Sequence, residues 1–300
     1  ATKPSGSGDF SSLAAVYGPV DENEIGTPRA AVNDSGHAIV QFTACGGCFP
    51  GYTRNRMVAL TNSATNTWGA SAQITGNGGW AGDEREIAVA ADGTFVTLFK
   101  SDVCCNQRTL MSAVAGSDGS YTATGYIAIG DENAEGCLCG SHARLARMPN
   151  GDVVAVWHRN ASQVRIAEFT AERAGQDPGL ANPVSESRVD PATGDSYLDG
   201  GDLPQVVADE DGNVLVAWLA SSGGRLLTRY RPAGGAFGGV QTVASGLTTT
   251  SYSLALDAGG RAYVAYGEGS GVYWSSRPSG AAATWTQPLQ ANVGHVSLNT

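Results

Sequence analysis

Apolar and polar positions alternate along most of the chain in runs of five to eight residues, each broken by a short polar turn. No run is long enough or regular enough at helical spacing to build a long helix. Five stretches share one arrangement: an alternating strand, a tight turn ending in glycine, and a second strand that closes on an aromatic residue. They read PRAAVNDSGHAIVQF, REIAVAADGTFVTLF, ARLARMPNGDVVAVW, PQVVADEDGNVLVAW and YSLALDAGGRAYVAY. The turn glycines are Gly36, Gly93, Gly151, Gly212 and Gly260, spaced 57, 58, 61 and 48 residues apart. Asp-Gly and Asn-Gly turns tolerate the positive φ that hairpins need, so each stretch predicts two antiparallel strands.

Every unit continues into a third strand (RMVAL, TLMSAV, QVRIAEF, RLLTRYR, VYWSSR), and a fourth follows a polar turn, as in TWGASAQI and TWTQPLQ. Four antiparallel strands in a repeat of about 40–60 residues predict an all-β fold, a β-propeller of four-stranded blades. The expected architecture is one domain over residues 1–300 with five complete blades. Strands of a possible sixth stand at the termini: KPSGSGDFSSLAAV is similar to the end of a third strand plus a fourth, and GHVSLNT to the start of a first. Either five blades close with extra strands on top, or the chain is part of a longer one, or a neighbouring copy pairs with the exposed strand edges and gives a homo-oligomer. The recurring aromatics Phe42, Phe99, Trp157, Trp218 and Tyr266 are expected between blades as core.

Composition narrows the function classes. Of 300 residues, 41 are glycine and 42% are hydrophobic, which suits a turn-rich β protein with a sizeable core. A net charge of −10 argues against nucleic-acid binding, which needs a basic face. The longest uncharged apolar stretches, such as VLVAW, are too short to span a bilayer. The opening residues ATKPSGSGDF resemble a mature secreted protein after cleavage at a small residue, so an extracellular or periplasmic location is expected.

The stretches TNSATNTW and SSRPSGAAATWTQP resemble degenerate forms of the sialidase Asp-box (BNR-type) repeat, in which a small polar turn precedes Thr-Trp. The defining aspartate and glycine are absent from the first, and only Gly280 stands near the second. The resemblance implies a sialidase-like propeller. That family binds a substrate carboxylate with three arginines, attacks with a tyrosine–glutamate pair and uses an aspartate acid/base. Carried onto this chain, it implies Arg29 near the start of a first strand, with Asp83, Tyr252 and Glu268 in the remaining roles. Arg85 and Arg144 lie in no recognisable motif of the family, so the arginine set is incomplete.

All six cysteines fall in connections on one face of the predicted propeller, where second strands end and first strands begin. Cys45 and Cys48 follow the second strand of the first unit, and Cys104 and Cys105 that of the second. Cys137 and Cys139 lie in the connection into the third. Adjacent residues have Cα atoms about 3.8 Å apart, below the disulfide range, so a Cys104–Cys105 bond is strained. A local Cys45–Cys48 bridge, with Cys104 and Cys105 reaching Cys137 and Cys139, is the less strained arrangement and implies an oxidising compartment. The alternative is a soft-metal site in which His142 and His158 join the thiols.

The same face collects carboxylates in DENE (21–24), GDERE (82–86), GDENAEG (130–136) and DPATGDSYLDGGD (190–202). Such loops suit solubility, Ca²⁺ or a cationic partner. The ligand-face candidates are therefore Arg29, Asp83, Glu84, His142, His158, Asp202, Tyr252 and Glu268. The expected function is a binding or assembly module for a glycan, a cation or a surface protein. A sialidase-like glycoside hydrolase and a Cys/His metal-binding protein are the alternatives.

Overall fold

The computed structural model describes residues 28–32, 38–44, 55–62, 67–73, 80–89, 95–103, 107–115, 127–129, 141–150, 152–159, 163–169, 185–188, 201–220, 224–248, 251–280 and 282–291. These form five antiparallel sheets, each a meander in chain order. Sheet 1 comprises β1 (Arg29–Val32), β2 (Ala38–Ala44) and β3 (Asn55–Asn62), with its outer edge divided into β4 (Thr67–Trp68) and β5 (Ala72–Gln73). Sheet 2 comprises β6 (Trp80–Val89), β7 (Phe95–Val103), β8 (Gln107–Ala115) and β9 (Ile127–Ile129). Sheet 3 comprises β10 (Ser141–Arg147), β11 (Val153–Arg159), β12 (Gln163–Phe169) and β13 (Ser185–Arg188). Sheet 4 comprises β14 (Gly201–Ala208), β15 (Val214–Ala220), β16 (Arg225–Arg231) and β17 (Gln241–Ala244). Sheet 5 comprises β18 (Tyr252–Leu256), β19 (Ala262–Glu268), β20 (Gly271–Arg277) and β21 (Leu289–Ala291). The predicted units over residues 29–291 are thus observed as sheets, and the terminal stretches 3–16 and 294–300 lie outside the described residues. The first strands lie against one another in succession, β1 on β6, β6 on β10, β10 on β14 and β14 on β18.

The hairpins between first and second strands carry their own fastening. In sheet 4 the Asp209 carboxylate accepts hydrogen bonds from the backbone N–H of Asp211 (3.1 Å) and Asn213 (2.8 Å) and from the Asn213 side-chain amide (2.7 Å). Asp257 repeats this in sheet 5 with the N–H of Gly259 and Arg261. Gly212 and Gly260 take φ of 88° and 73°, a conformation in which a Cβ is disfavoured. Local chemistry alone therefore fixes the turn and the register of the strands it joins.

The sheets stack face to face. Trp218 is fully buried in a cluster with Val154, Val156, Val164 and Ile166 of sheet 3. Tyr266 packs with Ala217, Leu219 and Leu226 of sheet 4. Phe42 and Trp157 are likewise buried, so the described closing aromatics are core, as their recurrence predicts. β15 is buried at every position because sheets 3 and 5 cover both its faces, which is why VLVAWLA reads as an unbroken apolar run.

The stretch with the Thr-Trp signature, Ser275 to Pro288, folds back on itself. Thr286 N–H donates to Ser276 O at 2.8 Å, and the Ser275 hydroxyl donates to Thr286 O at 2.7 Å. Trp285 then crosses to sheet 4, where its Nε1–H donates to Thr228 Oγ1 at 2.8 Å. Among the described residues no aspartate organises this turn. The Arg277 guanidinium does so, donating to Gly280 O (2.6 Å) and Ala283 O (2.9 Å).

Candidate functional site

Sheets 2, 3 and 4 share an irregularity at one place, near the beginning of the first strand. In sheet 2 Ala81 faces Ser101 but Arg85 faces Phe99, which leaves Gly82, Asp83 and Glu84 in a bulge. In sheet 3 Ser141 faces His158 and Arg144 faces Val156, which leaves His142 and Ala143 in the bulge. In sheet 4 Asp202 faces Leu219 and Gln205 faces Ala217, with Leu203 and Pro204 between them. In sheets 1 and 5 the described pairing starts at Arg29 with Gln41 and at Tyr252 with Tyr266 and is regular from there on. A bulge inserts residues without partners, bends the strand and redirects its side chains, and such features concentrate at rims and binding sites.

Three successive first strands therefore present extra residues at the same end, and five of the candidates from sequence lie in, beside or opposite them. Asp83, Glu84 and His142 occupy bulges, Asp202 flanks one, and His158 pairs with Ser141, the residue preceding the bulge of His142. For these five the description extends to the backbone, so their shared location is a matter of register.

Side chains are described for the other three. Arg29 is exposed on β1. Tyr252 is buried, 6% exposed, and its hydroxyl lies between two backbone carbonyls of sheet 4, Leu203 O and Ala217 O, the latter at 2.9 Å. In return the Gln205 side-chain amide donates to Tyr252 O at 2.7 Å. Leu203 has a φ of 51°, unusual for a side chain branched beyond Cβ, so the sheet 4 bulge holds a strained residue that Tyr252 fastens from the neighbouring sheet. Glu268 accepts from the N–H and the hydroxyl of Thr248 at 2.9 and 3.0 Å, clasping the connection between sheets 4 and 5. Tyr252 and Glu268 thus bind separate backbone features.

The six cysteines, Cys45, Cys48, Cys104, Cys105, Cys137 and Cys139, lie outside the described residues. The described strand ends that flank the cysteines are Ala44, Val103, Gln107 and Ser141. Among the described residues no three His, Cys, Asp or Glu side chains converge as a metal cage. None of the described residues forms a helix long and apolar enough to cross a membrane.

Sequence reading missed a second set of charged residues, at the opposite ends of the sheets. Arg231 and Arg277 are equivalent, since each pairs with the first residue of the preceding strand, Val214 and Ala262. Arg231 forms an ion pair with Glu168 of sheet 3 and lies 5.4 Å from the centroid of Phe237. Arg277 lies over Tyr230 of sheet 4, at 4.3 Å. Burial lowers the proton affinity of Arg277 and raises the pKa of Tyr230 above the ordinary phenol value. The recurring Arg-Pro of RPAGG and RPSGA was the available signal.

The fold matches known structures. The chain superposes on a point mutant of NanB sialidase from Streptococcus pneumoniae with a TM-score of 0.53 and 10% identity, over 91% of this chain and 62% of that one. An α-L-arabinanase from Penicillium chrysogenum complexed with arabinobiose gives 0.52 and 14%, over 89% and 81%. A PL25 ulvan lyase bound to -[GlcA(1-4)Rha3S]- gives 0.54 and 10%, over 89% and 69%. No protein-family model and no curated protein matches the chain. The chain spans less than two thirds of the length of the sialidases it matches first. At these identities the likeness establishes architecture: the chain has a propeller-like, sialidase-type all-β fold.

Proposed function

We propose that the chain is a carbohydrate-directed binding module of β-propeller architecture, acting outside the cytoplasm through the face on which the first strands begin. The alignment of three bulges supports this reading, because it gathers Asp83, Glu84, His142 and Asp202 along one rim. Carboxylates and imidazoles are the groups that hydrogen-bond sugar hydroxyls. Two of the neighbours in fold hold saccharides, arabinobiose in one and a GlcA–Rha3S unit in the other.

The observation that favours binding over sialidase-type hydrolysis is the state of Tyr252. A phenol that attacks an anomeric carbon needs a free oxygen and a neighbouring carboxylate to take its proton. Here the hydroxyl is buried between Leu203 O and Ala217 O, and the Glu268 carboxylate is engaged by Thr248.

The test is a pair of assays on the same full chain. Calorimetric titration with neutral and uronate-containing oligosaccharides is expected to show saturable binding that weakens at least about tenfold in Asp83→Ala or His142→Ala, a loss of about 1.4 kcal/mol. A panel of chromogenic glycosides is expected to show no turnover. Turnover abolished by Asp83→Ala or Tyr252→Phe would overturn the binding reading in favour of a sialidase-like hydrolase.

A further inference from the structure

The seam between sheets 4 and 5 and the seam between sheets 3 and 4 are built from equivalent residues, yet one is filled and the other open. In the first, Arg277 lies on the Tyr230 ring. A methyl group placed on Gly260 would come within 3.0 Å of Asn213 Nδ2, 3.1 Å of Ser279 Cβ and 3.2 Å of Tyr230 Oη. That seam has no room for another group.

In the second, the residue equivalent to Tyr230 is Glu168, as the pairings of Glu168 with Val154 and Tyr230 with Leu215 show. Glu168 is shorter and forms an ion pair with Arg231 where Tyr230 stacks under Arg277. A methyl group placed on Gly212, the equivalent of Gly260, would meet only Ala233 Cβ, at 3.9 Å, and one on Gly234 would meet nothing within 4 Å. The result is a cleft of about 430 Å³. Its polar walls are Asn150, Asp152, Glu168, Asp211 and Arg231. It lies where the hairpins between first and second strands turn, at the end opposite the bulges.

We propose that this cleft is a second ligand site, and that its ligand is a single sugar ring carrying a positive charge, an amino sugar. The volume falls within the range of small-molecule pockets and exceeds what one hexose occupies. Glu168 is neutralised by Arg231, but among the described residues the lining has no second cation for Asp152 or Asp211, so an ammonium group complements it. Asn150 donates its amide to Asp152 Oδ2 at 2.7 Å, which holds that carboxylate in place. The Arg231 guanidinium is held in the wall by Glu168 and by a 3.4 Å contact of Nη2 with Met148 Sδ, so the wall is fixed before a ligand arrives. The open backbone at Gly212 and Gly234 allows a ring to approach closely.

The experiment titrates the full chain with D-glucosamine, D-glucose and N-acetyl-D-glucosamine, following saturation-transfer NMR. Saturable binding of glucosamine is expected in the millimolar range, with the two uncharged sugars at least about tenfold weaker. Glu168→Tyr, which imports the filling of the neighbouring seam, is expected to remove glucosamine binding while the circular dichroism stays native. Asp211→Asn, on an exposed side chain, is expected to weaken glucosamine at least about threefold and leave glucose unchanged. Absence of saturable glucosamine binding, equal binding of all three sugars, or unaltered affinity in Asp211→Asn each overturns the proposal. The Glu168→Tyr and Asp211→Asn arms distinguish this cleft from the bulged rim, since neither residue belongs to the rim.

Discussion

The Arg277 guanidinium lies over the ring of Tyr230, 4.3 Å from its centroid, and ties the fifth sheet to the fourth. The same group fastens its own turn through Gly280 O and Ala283 O and is only 1% exposed. Removing it frees two carbonyls and a cation–π contact together. Arg277→Ala is therefore expected to cost about 2–4 kcal/mol, read as a shift in the urea midpoint at unchanged slope. Arg277→Lys keeps the charge but not the planar fork and is expected to recover less than half of the loss.

Tyr252→Phe removes one hydroxyl and leaves the ring in place. The Leu203 and Ala217 carbonyls lose their shared donor, so stability is expected to fall by about 1–2 kcal/mol. Because that donor holds the sheet 4 bulge beside Asp202, the saccharide affinity of the rim is expected to fall as well. A thermal melt and a titration on the same sample check both effects.

Gly224 is in van der Waals conflict with any side chain. Its carbonyl accepts from Leu247 N–H at 2.8 Å, its φ is 54°, and an added Cβ would lie 2.0 Å from Leu247 O. Gly224→Ala is expected to cost about 3 kcal/mol or more, since backbone must move. Gly246→Ala is the control. Gly246 has a φ of 74° but open space around it, so only the conformational penalty of about 1 kcal/mol remains. Chemical denaturation of both variants tests the difference.

Stability is expected to decline at alkaline pH from the tyrosines of the seams. Burial raises the pKa of Tyr230, with Asp209 and Asp211 adding to it, and burial raises that of Tyr266, with Tyr273 and Glu268 adding. Below the ordinary value of 10.0 both states keep the proton and stability is unaffected. Above it the unfolded chain ionises first and binds fewer protons than the folded one, so stability falls as pH rises. Denaturant midpoints from pH 8 to pH 11 are expected to drop above about pH 10. The drop shrinks in Tyr230→Phe and Tyr266→Phe.

The period of glycine turns made the five sheets and their strand order legible in the sequence, because turn chemistry is local. Asp209 and Asp257 fasten hairpins with atoms no more than four residues away. Phe42, Trp157, Trp218 and Tyr266 could be assigned to the core from recurrence alone, since a position repeated in every unit faces the same neighbour each time. The repeat puts the candidates Asp83, Glu84, His142 and Asp202 at one end of their sheets by the same reasoning, with no sign of the bulges that hold the first three and adjoin the fourth.

What the amino-acid order determined by itself was the repeat, the turns and the end of each sheet at which a residue lies. Only the packing of one sheet on the next decided which residues are available. Tyr252 is closed off by two carbonyls from residues 35 and 49 positions away, and Glu168 in place of a tyrosine opens a cleft that the following seam lacks. Both outcomes depend on the space between neighbouring sheets, and that space is set by pairs of side chains far apart in the chain.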